Sequence, residues 1–400
     1  MTQTRKRTGG NTTFEYDLFD QPVKITYPDH VAGTHERIAT FRYDSHGKLV
    51  EKAGAGDYPL TYAYDAVGNL ASLTDGNGHA THWTYNALNL VATKTYADGT
   101  SWSYTYDAAG RLATRVDGLG RTTTYGYNAY GLIASILYPT DAPVSFAYDQ
   151  QGRRLSMTDG SGTTVWTYDA AGRMASETQS RAARTLHFSY DSFDQRTGLE
   201  VSGGATPWQT VYGYDNAGRL RTVLDARAAA EPFLYSYHPQ ANLVASLTLP
   251  GGNHIDRIYD PAARLTSLAL HAGSSTVNSF AYTYDAAGQR SGENRADGTQ
   301  RAYQYDLYRQ LTEAAVKQGE LVMRDFGYQF DPIGNRLTTS LAAGGAPEAT
   351  TYVPNPLNQN ASLTGTLADT PTYDLNGNTT ALLGVTYRWD EDGARQRGDG

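Results

Sequence analysis

The sequence predicts an all-β protein: an antiparallel meander of β-hairpins that coils into an open spiral. Three observations predict it. Tyr-Asp-x-x-Gly-x-Leu recurs in phase along all 400 residues, aromatic residues alternate just before each copy, and Asp-Gly dipeptides fall between copies. A unit this short cannot bury a hydrophobic face alone, so it must stack on its neighbours.

The anchor is clearest at Tyr43-Asp44, Gly47 and Leu49; at Tyr64-Asp65, Gly68 and Leu70; at Tyr106-Asp107, Gly110 and Leu112; and at Tyr214-Asp215, Gly218 and Leu220. Looser copies begin at Tyr16, Tyr85, Tyr127, Tyr148, Tyr168 (with Asp169 and Gly172), Tyr190, Tyr237, Tyr259, Tyr284 (with Asp285 and Gly288), Tyr305, Phe330, Tyr352, Tyr373 and Trp389, which makes eighteen units. Steps from Tyr43 to Tyr148 are each 21 residues, and residues 40–175 are the most regular part. The pattern covers the whole chain, so residues 1–400 read as one array. Stretches 180–188, 202–210, 225–233 and 341–360 read as lengthened loops within it.

Each unit reads as two strands. Pairs such as Tyr62/Tyr64, Trp83/Tyr85 and Tyr104/Tyr106 are two residues apart, so each pair shares a face of a strand. Asp-x-x-Gly is turn chemistry: Asp107 fits the first position of a type I turn, its carboxylate accepting a nearby backbone N–H. Gly110 fits the left-handed position of a three-residue hairpin with a bulge, where a Cβ would cost about 1–2 kcal/mol. That register sets Tyr106 opposite Leu112 and Asp107 opposite Arg111. The second turn, at Asp75-Gly76, Asp98-Gly99, Asp117-Gly118, Asp159-Gly160 and Asp297-Gly298, reads as a two-residue type I′ hairpin. An odd period needs one reversal of facing per unit to keep all rings on one side. Alternating three- and two-residue loops would supply it; units of 20 or 22 residues need a bulge or a changed turn. About 36 strands at ~4.8 Å spacing give a ribbon of ~170 Å. Strand twist forbids a flat sheet of that size, so the ribbon must coil.

Composition narrows the function classes. Tyr (31) far outnumbers Phe (10) and Trp (5), and 41 Gly suit many tight turns. The absence of Cys removes disulfides and thiolate metal sites. A net charge of −8 with no basic tract argues against a nucleic-acid partner. No run approaches a membrane span, and the start lacks the apolar stretch of a signal peptide. No phosphate loop or nucleophile motif is present, and no cofactor is implied.

YDAAGRL, the companion DGxG and the step near 21 residues together resemble RHS repeats, also called YD repeats. The resemblance covers essentially the whole chain. It implies a β-sheet wound into a hollow shell, a β-cocoon, of which this chain is a partial version. In bacterial members the shell encloses a C-terminal toxin for delivery in contact-dependent competition. Toxin-complex subunits, wall-associated proteins and teneurins carry similar barrels. The implied setting is secreted or cell-surface, and the implied partners are a toxin domain and further shell segments. YD repeats are also linked to carbohydrate binding, so a carbohydrate or adhesion module is the alternative, with aromatic rows as an exposed stacking platform.

Family shells close with paired Asp-Pro-x-Gly motifs at which aspartates cut the shell from its toxin. Here the chain ends at YRWDEDGARQRGDG, inside a repeat, and reads as an interior piece of a larger protein. Roughly 4,500 Å² of sheet bent into a sphere would enclose ~11,000 Å³. That is room for about 80 residues, below the usual ~100–150 of a domain.

Asp331-Pro332-Ile333-Gly334 resembles the cleavage motif but sits in phase with the repeat, which makes it a turn. Asp390, Glu391 and Asp392 read as solvated end residues. His79 and His82 are three apart in a strand and face opposite ways. His30 and His35 lack a third ligand. The reading is therefore non-enzymatic, with no metal site.

Overall fold

The computed structural model describes residues 2–7, 10–27, 37–54, 58–204, 208–226, 231–239, 241–390 and 395–396. They are all-β: among them there is no helix, and so none long and apolar enough to cross a membrane. The chain divides into two compact units, one made of residues 1–121 and 280–400, the other of residues 122–279.

In the first unit, strands such as Arg37–Tyr43, Leu49–Ala53, Leu60–Tyr64 and Leu70–Asp75 follow one another as antiparallel neighbours. The same meander runs through Thr299–Tyr305, Leu311–Gln318, Leu321–Phe330 and Arg336–Ala342. It ends in a three-stranded sheet, Thr372–Tyr373, Thr379–Leu382 and Val385–Thr386, and the pair Arg388–Trp389 with Arg395–Gln396. The second unit repeats the plan from Thr122–Tyr127 to Leu265–Ala272.

Both faces of the ribbon remain accessible. Among the described residues only Ala39, Ala315 and Leu363 are buried hydrophobics. Stability must come from sheet hydrogen bonds, cross-strand pairs and turns more than from a packed interior.

The Tyr-Asp hairpin has the expected register. Tyr106 pairs with Leu112, Asp107 N–H donates to the Arg111 carbonyl at 2.9 Å, and Gly110 N–H closes the turn on the Asp107 carbonyl at 2.9 Å. Gly110 has φ 75°, the left-handed conformation that a side chain would strain.

The second turn departs from expectation. Asp75 N–H bonds to the His79 carbonyl and Asp117 N–H to that of Arg121, so these are three-residue loops with Gly78 and Gly120 at positive φ. Asp98-Gly99 and Asp297-Gly298 occupy the last two loop positions of the same kind of turn, bonded through Gly99 N–H to Tyr96 and Gly298 N–H to Arg295. Asp159-Gly160 alone of the five fits a two-residue loop, with Asp159 paired to Gly162. Its positive φ falls on Gly162 rather than Gly160, so it is not type I′ either.

Alternating loop sizes therefore do not restore the facing of the rings. A β-bulge does. Tyr106 pairs with Leu112 while Thr105 pairs with Thr114, leaving Ala113 as the extra residue. The same shift occurs at Tyr43, Tyr64, Tyr85, Tyr127 and Tyr148. One inserted residue per unit makes the period odd while the rings stay on one side. Across one unit boundary Trp83 pairs with Lys94, and Lys94 with Trp102, so both rings share a face. The 20-residue step from Tyr148 to Tyr168 holds the two-residue loop at Asp159, the changed turn that an even step requires.

Two further expectations are corrected. Asn355 N–H bonds to the Gln359 carbonyl and Pro354 pairs with Asn360. The anchor position of that unit is thus Pro354, and Tyr352 takes the earlier aromatic place. Strand runs into three of the stretches read as lengthened loops, through Arg184–Tyr190, Trp208–Tyr214 and Glu348–Pro354, while the fourth, 225–233, is strand only at its two end residues among those described.

Candidate functional site: the tyrosine-aspartate turn and its seam

The repeated turn is a hydrogen-bonded device. The Asp107 Oδ1 accepts the N–H of Ala109 at 2.9 Å and of Arg111 at 3.0 Å. Its Oδ2 accepts Arg111 Nε at 2.8 Å. The Arg111 hydrogen bonds hold this carboxyl below the usual carboxylate range. Asp169 and Asp215 repeat the set with Arg173 and Arg219. Asp44 takes the N–H of His46 and Lys48, Asp65 that of Val67 and Asn69, and Asp285 that of Gln289. Gly47, Gly68, Gly172, Gly218 and Gly288 all hold the positive-φ place.

The anchor tyrosine links each unit to the one before it. Tyr106 OH donates to the Val91 carbonyl at 2.9 Å. Tyr64 reaches Leu49, Tyr43 reaches Pro22, Tyr168 reaches Arg154 and Tyr214 reaches Arg196, at 2.8–2.9 Å. Burial raises the pKa of Tyr43, Tyr64 and Tyr106 above the ordinary phenol value, which keeps the proton on the donor. Tyr284 closes its hairpin opposite Arg290. Sequence reasoning had credited the tyrosine with packing; its hydroxyl is equally structural.

The residue after the positive-φ turn position, held by Asp20, Asp194 or Gly47, extends the link along the ribbon edge. Gln21 donates to the Gly47 carbonyl and Gln195 to that of Gly218, each at 2.8 Å, and Lys48 reaches the Gly68 carbonyl.

The two faces differ in chemistry. On the aromatic face, cations lie between rings of successive units. Arg154 sits 4.9 Å from the Phe146 ring and 5.6 Å from Trp166, and Arg196 lies between Phe188 and Tyr212. On the other face, hydroxyls pair across strands: Thr84 with Thr93, Thr105 with Thr114, and Thr167 with Ser176, at 2.6–2.7 Å.

In the first unit the ribbon returns on itself. Residues 37–121 offer the edge that carries the second turns, and residues 307–376 offer the edge that carries the Tyr-Asp turns. Asn77 Nδ2 donates to Asp331 Oδ2 at 2.7 Å, Asn358 Nδ2 to Asp75 Oδ2 at 3.0 Å, and Asn376 Nδ2 to Asp117 Oδ2 at 2.7 Å. Gly118 N–H donates to Asn376 Oδ1 at 2.9 Å, completing a two-way clasp. Tyr58 stacks on Tyr308 with centroids 5.8 Å apart and rings 1° from parallel. Arg37, only 3% exposed, donates through Nε to the Leu307 carbonyl at 2.8 Å.

Close approach explains the paired glycines of the DGxG motif. A Cβ on Gly118 would lie 2.2 Å from the Leu375 carbonyl oxygen, and one on Gly76 would lie 2.9 Å from Ile333 Cγ2. The first glycine thus admits the facing turn, while the second, Gly78 or Gly120, supplies the positive φ.

Comparison with known proteins accords with this geometry. Six overlapping segments, residues 43–80, 64–101, 85–122, 106–143, 127–164 and 148–185, match the RHS Repeat family. Residues 43–185 are thus RHS repeats. Among curated proteins, no sequence matches it. A solved Tc holotoxin pore of Photorhabdus luminescens with a mutated TccC3 is similar in fold, with TM-score 0.59 and 16% identity over 92% of this chain. TcdB2-TccC3 without its hypervariable C-terminal region gives TM-score 0.58 at the same identity and coverage. This chain spans about a quarter of the length of those two chains, 25% in each.

The RHS turn at Asp331 is the one sequence candidate for cleavage chemistry, and its geometry is that of a capped turn. Oδ1 accepts the N–H of Ile333 at 3.1 Å and of Asn335 at 2.8 Å; Oδ2 accepts the amides of Asn335 and Asn77, each at 2.7 Å. Burial works to raise its pKa, but the amide hydrogen bonds prevail and hold it low. An ionised carboxylate so engaged is poorly placed to transfer a proton. Asp390 is described, while Glu391 and Asp392 lie outside the described residues, as do His30 and His35. His79 and His82 do not converge: His79 Nδ1 lies 3.2 Å from Asn358 Oδ1 at the seam, and His82 is exposed on its strand.

Proposed function

We propose that residues 1–400 form one continuous RHS array that serves as a length of shell wall. The wall is non-enzymatic and lies outside the producing cell. Joined to further shell segments, it encloses a C-terminal toxin domain for delivery in competition between cells. The observation that carries this reading is the seam. A single-layer ribbon whose opposite edges recognise each other through Asn–Asp pairs can extend a wall turn upon turn. The thin, two-faced sheet, with almost no buried apolar side chains among its described residues, suits a wall better than a compact domain. The similar TccC3 structures support it, one of them being named for a hypervariable C-terminal region.

A sugar-stacking platform needs bare ring faces. Phe146, Trp166, Phe188 and Tyr212 have arginine over them instead, which favours the wall over the carbohydrate-binding alternative.

The test uses the chain joined to the segment that follows it in its own reading frame. Limited proteolysis should leave that segment intact while it is joined to the wall and degrade it once it is expressed alone. Equal digestion rates in the two forms would overturn the proposal.

A further inference from the structure

We infer that His254, Asp256 and His271 form a binding site for a divalent transition-metal ion, Zn²⁺ in the first instance. The site lies within the second unit, and none of its residues belongs to the seam or its turns. The strands His254–Tyr259 and Leu265–Ala272 pair antiparallel with His254 directly opposite His271. Asp256 is two residues along from His254, so all three side chains stand on one face. The hairpin register thus brings His271 against the His254/Asp256 pair, a convergence that spacing along the sequence does not display.

Their geometry is that of a ligand set. Asp256 Oδ2 lies 3.7 Å from His254 Nε2 and 3.6 Å from His271 Nε2. Those separations are too long for hydrogen bonds. They are close to the ~3.3–3.5 Å edge of a tetrahedron with metal–ligand distances of about 2.0–2.2 Å. The ligand atoms of all three residues lie within 4.8 Å of one another. The two imidazoles stack with centroids 4.6 Å apart and planes 15° from parallel, and both Nε2 atoms face the same Asp256 oxygen. Thr276 Oγ1 lies 3.3 Å from His271 Nδ1. In the tautomer with the proton on Nδ1, that hydroxyl accepts it and Nε2 is free to ligate.

The donor set selects the ion. Two imidazoles and one carboxylate suit Zn²⁺, Co²⁺ or Ni²⁺, while Ca²⁺ and Mg²⁺ call for oxygen ligands. The side chain of Asp256 is 48% exposed, which leaves the fourth position open to water or to a group from a partner. A bound ion would staple two neighbouring strands where the wall has little apolar packing.

The test is calorimetric titration of the full chain with Zn²⁺ and Co²⁺, with Mg²⁺ as the negative probe. One equivalent of Zn²⁺ should bind, and Co²⁺ should give the visible absorption of a low-coordinate site. His271→Ala and the milder Asp256→Asn should each weaken binding at least about tenfold. His82→Ala should not. The melting temperature should rise with Zn²⁺ in the parent chain and in His82→Ala only, with metal-free Asp256→Asn melting like the metal-free parent. The inference is overturned if the parent binds no more Zn²⁺ than the His254→Ala, His271→Ala double variant, or if His82→Ala loses as much.

Discussion

Removing the Asn77–Asp331 hydrogen bond should weaken the first unit by an amount that depends on both partners. Asp331 is 9% exposed and accepts four hydrogen bonds, two from backbone N–H groups of its own turn and two from side-chain amides. Asn77→Ala removes one of these, a 2.7 Å bond to a charged acceptor, while Asn77 keeps its own backbone bond to Asp75 Oδ1 at 2.9 Å. A hydrogen bond to a charged group contributes about 1.5–3 kcal/mol. Asp331→Asn keeps a carbonyl oxygen to cap the turn, as Asn86 and Asn355 do at the same place in their own units. The NH2 group that replaces Oδ2 accepts from neither the Asn335 nor the Asn77 amide. Each variant alone should therefore lower stability, and Asp331→Asn should cost less once Asn77 is Ala. A double-mutant cycle, followed by tyrosine fluorescence through urea unfolding, should give a coupling of about 1–2 kcal/mol. Coupling below about 0.3–0.5 kcal/mol would mean that the two sites act independently. The ribbon would then not return on itself at these residues, and the stacked-wall reasoning would fall with it.

Gly118→Ala should destabilise the first unit by about 1–3 kcal/mol through overpacking against the Leu375 carbonyl, although φ at this residue is compatible with alanine; an unchanged melting temperature would place Leu375 elsewhere. The seam carboxylates predict acid sensitivity. Asp117, like Asp331, has burial acting to raise its pKa but hydrogen bonds, from Asn376 and Arg121 in its case, bringing it below the usual carboxylate range. A depressed folded pKa stabilises the native state above the unfolded value and loses that contribution as pH falls through the folded one. The melting temperature should therefore drop as pH is lowered past about 4, and less steeply in a chain carrying both Asp117→Asn and Asp331→Asn. Ala263 holds φ 63° where most units have glycine, so Ala263→Gly should stabilise by about 0.5–1 kcal/mol after the extra chain entropy of glycine; a lower urea midpoint would contradict the assigned turn.

The local half of this structure was legible because its causes are local. Asp107 and Gly110 carry the turn in their own chemistry, and an in-phase 21-residue step places the same turn again. The failed inference is equally instructive. Asp-Gly between strands does favour a two-residue hairpin, and Asp159-Gly160 keeps one, but at Asp75 and Asp117 a second glycine two residues on, Gly78 or Gly120, closes a wider turn in the left-handed position. The loop then grows to three residues, and facing has to be restored elsewhere. It is restored beside Tyr106, where Ala113 is the extra residue of the bulge. Parity demanded one reversal per unit and could not say where it would fall. The seam and the histidine cluster were out of reach for another reason: Asn77 and Asp331, or His254 and His271, are ordinary surface residues until register and coiling bring them together.

A wall one sheet thick cannot rely on a packed interior, and this chain shows what takes that place. The turn-capping carboxylate does graded work according to where its turn lies. At Asp107 it caps a turn and holds Arg111. At Asp169 its arginine also reaches forward, Arg173 donating to Asp194 at 2.8 Å, so adjacent turns are tied. At Asp331 and Asp117 it takes an asparagine amide from the facing edge. Lateral links therefore run at three ranges: tyrosine hydroxyls between successive units, long polar side chains between successive turns, and Asn–Asp pairs across the seam. The first two follow from the repeat and are available to any number of units. The third is not periodic in the sequence. It requires Asn at particular turns, Asn77, Asn358 and Asn376, and a small residue where backbones meet, as at Gly118. Repetition builds the ribbon, and the departures from repetition determine where the ribbon meets itself.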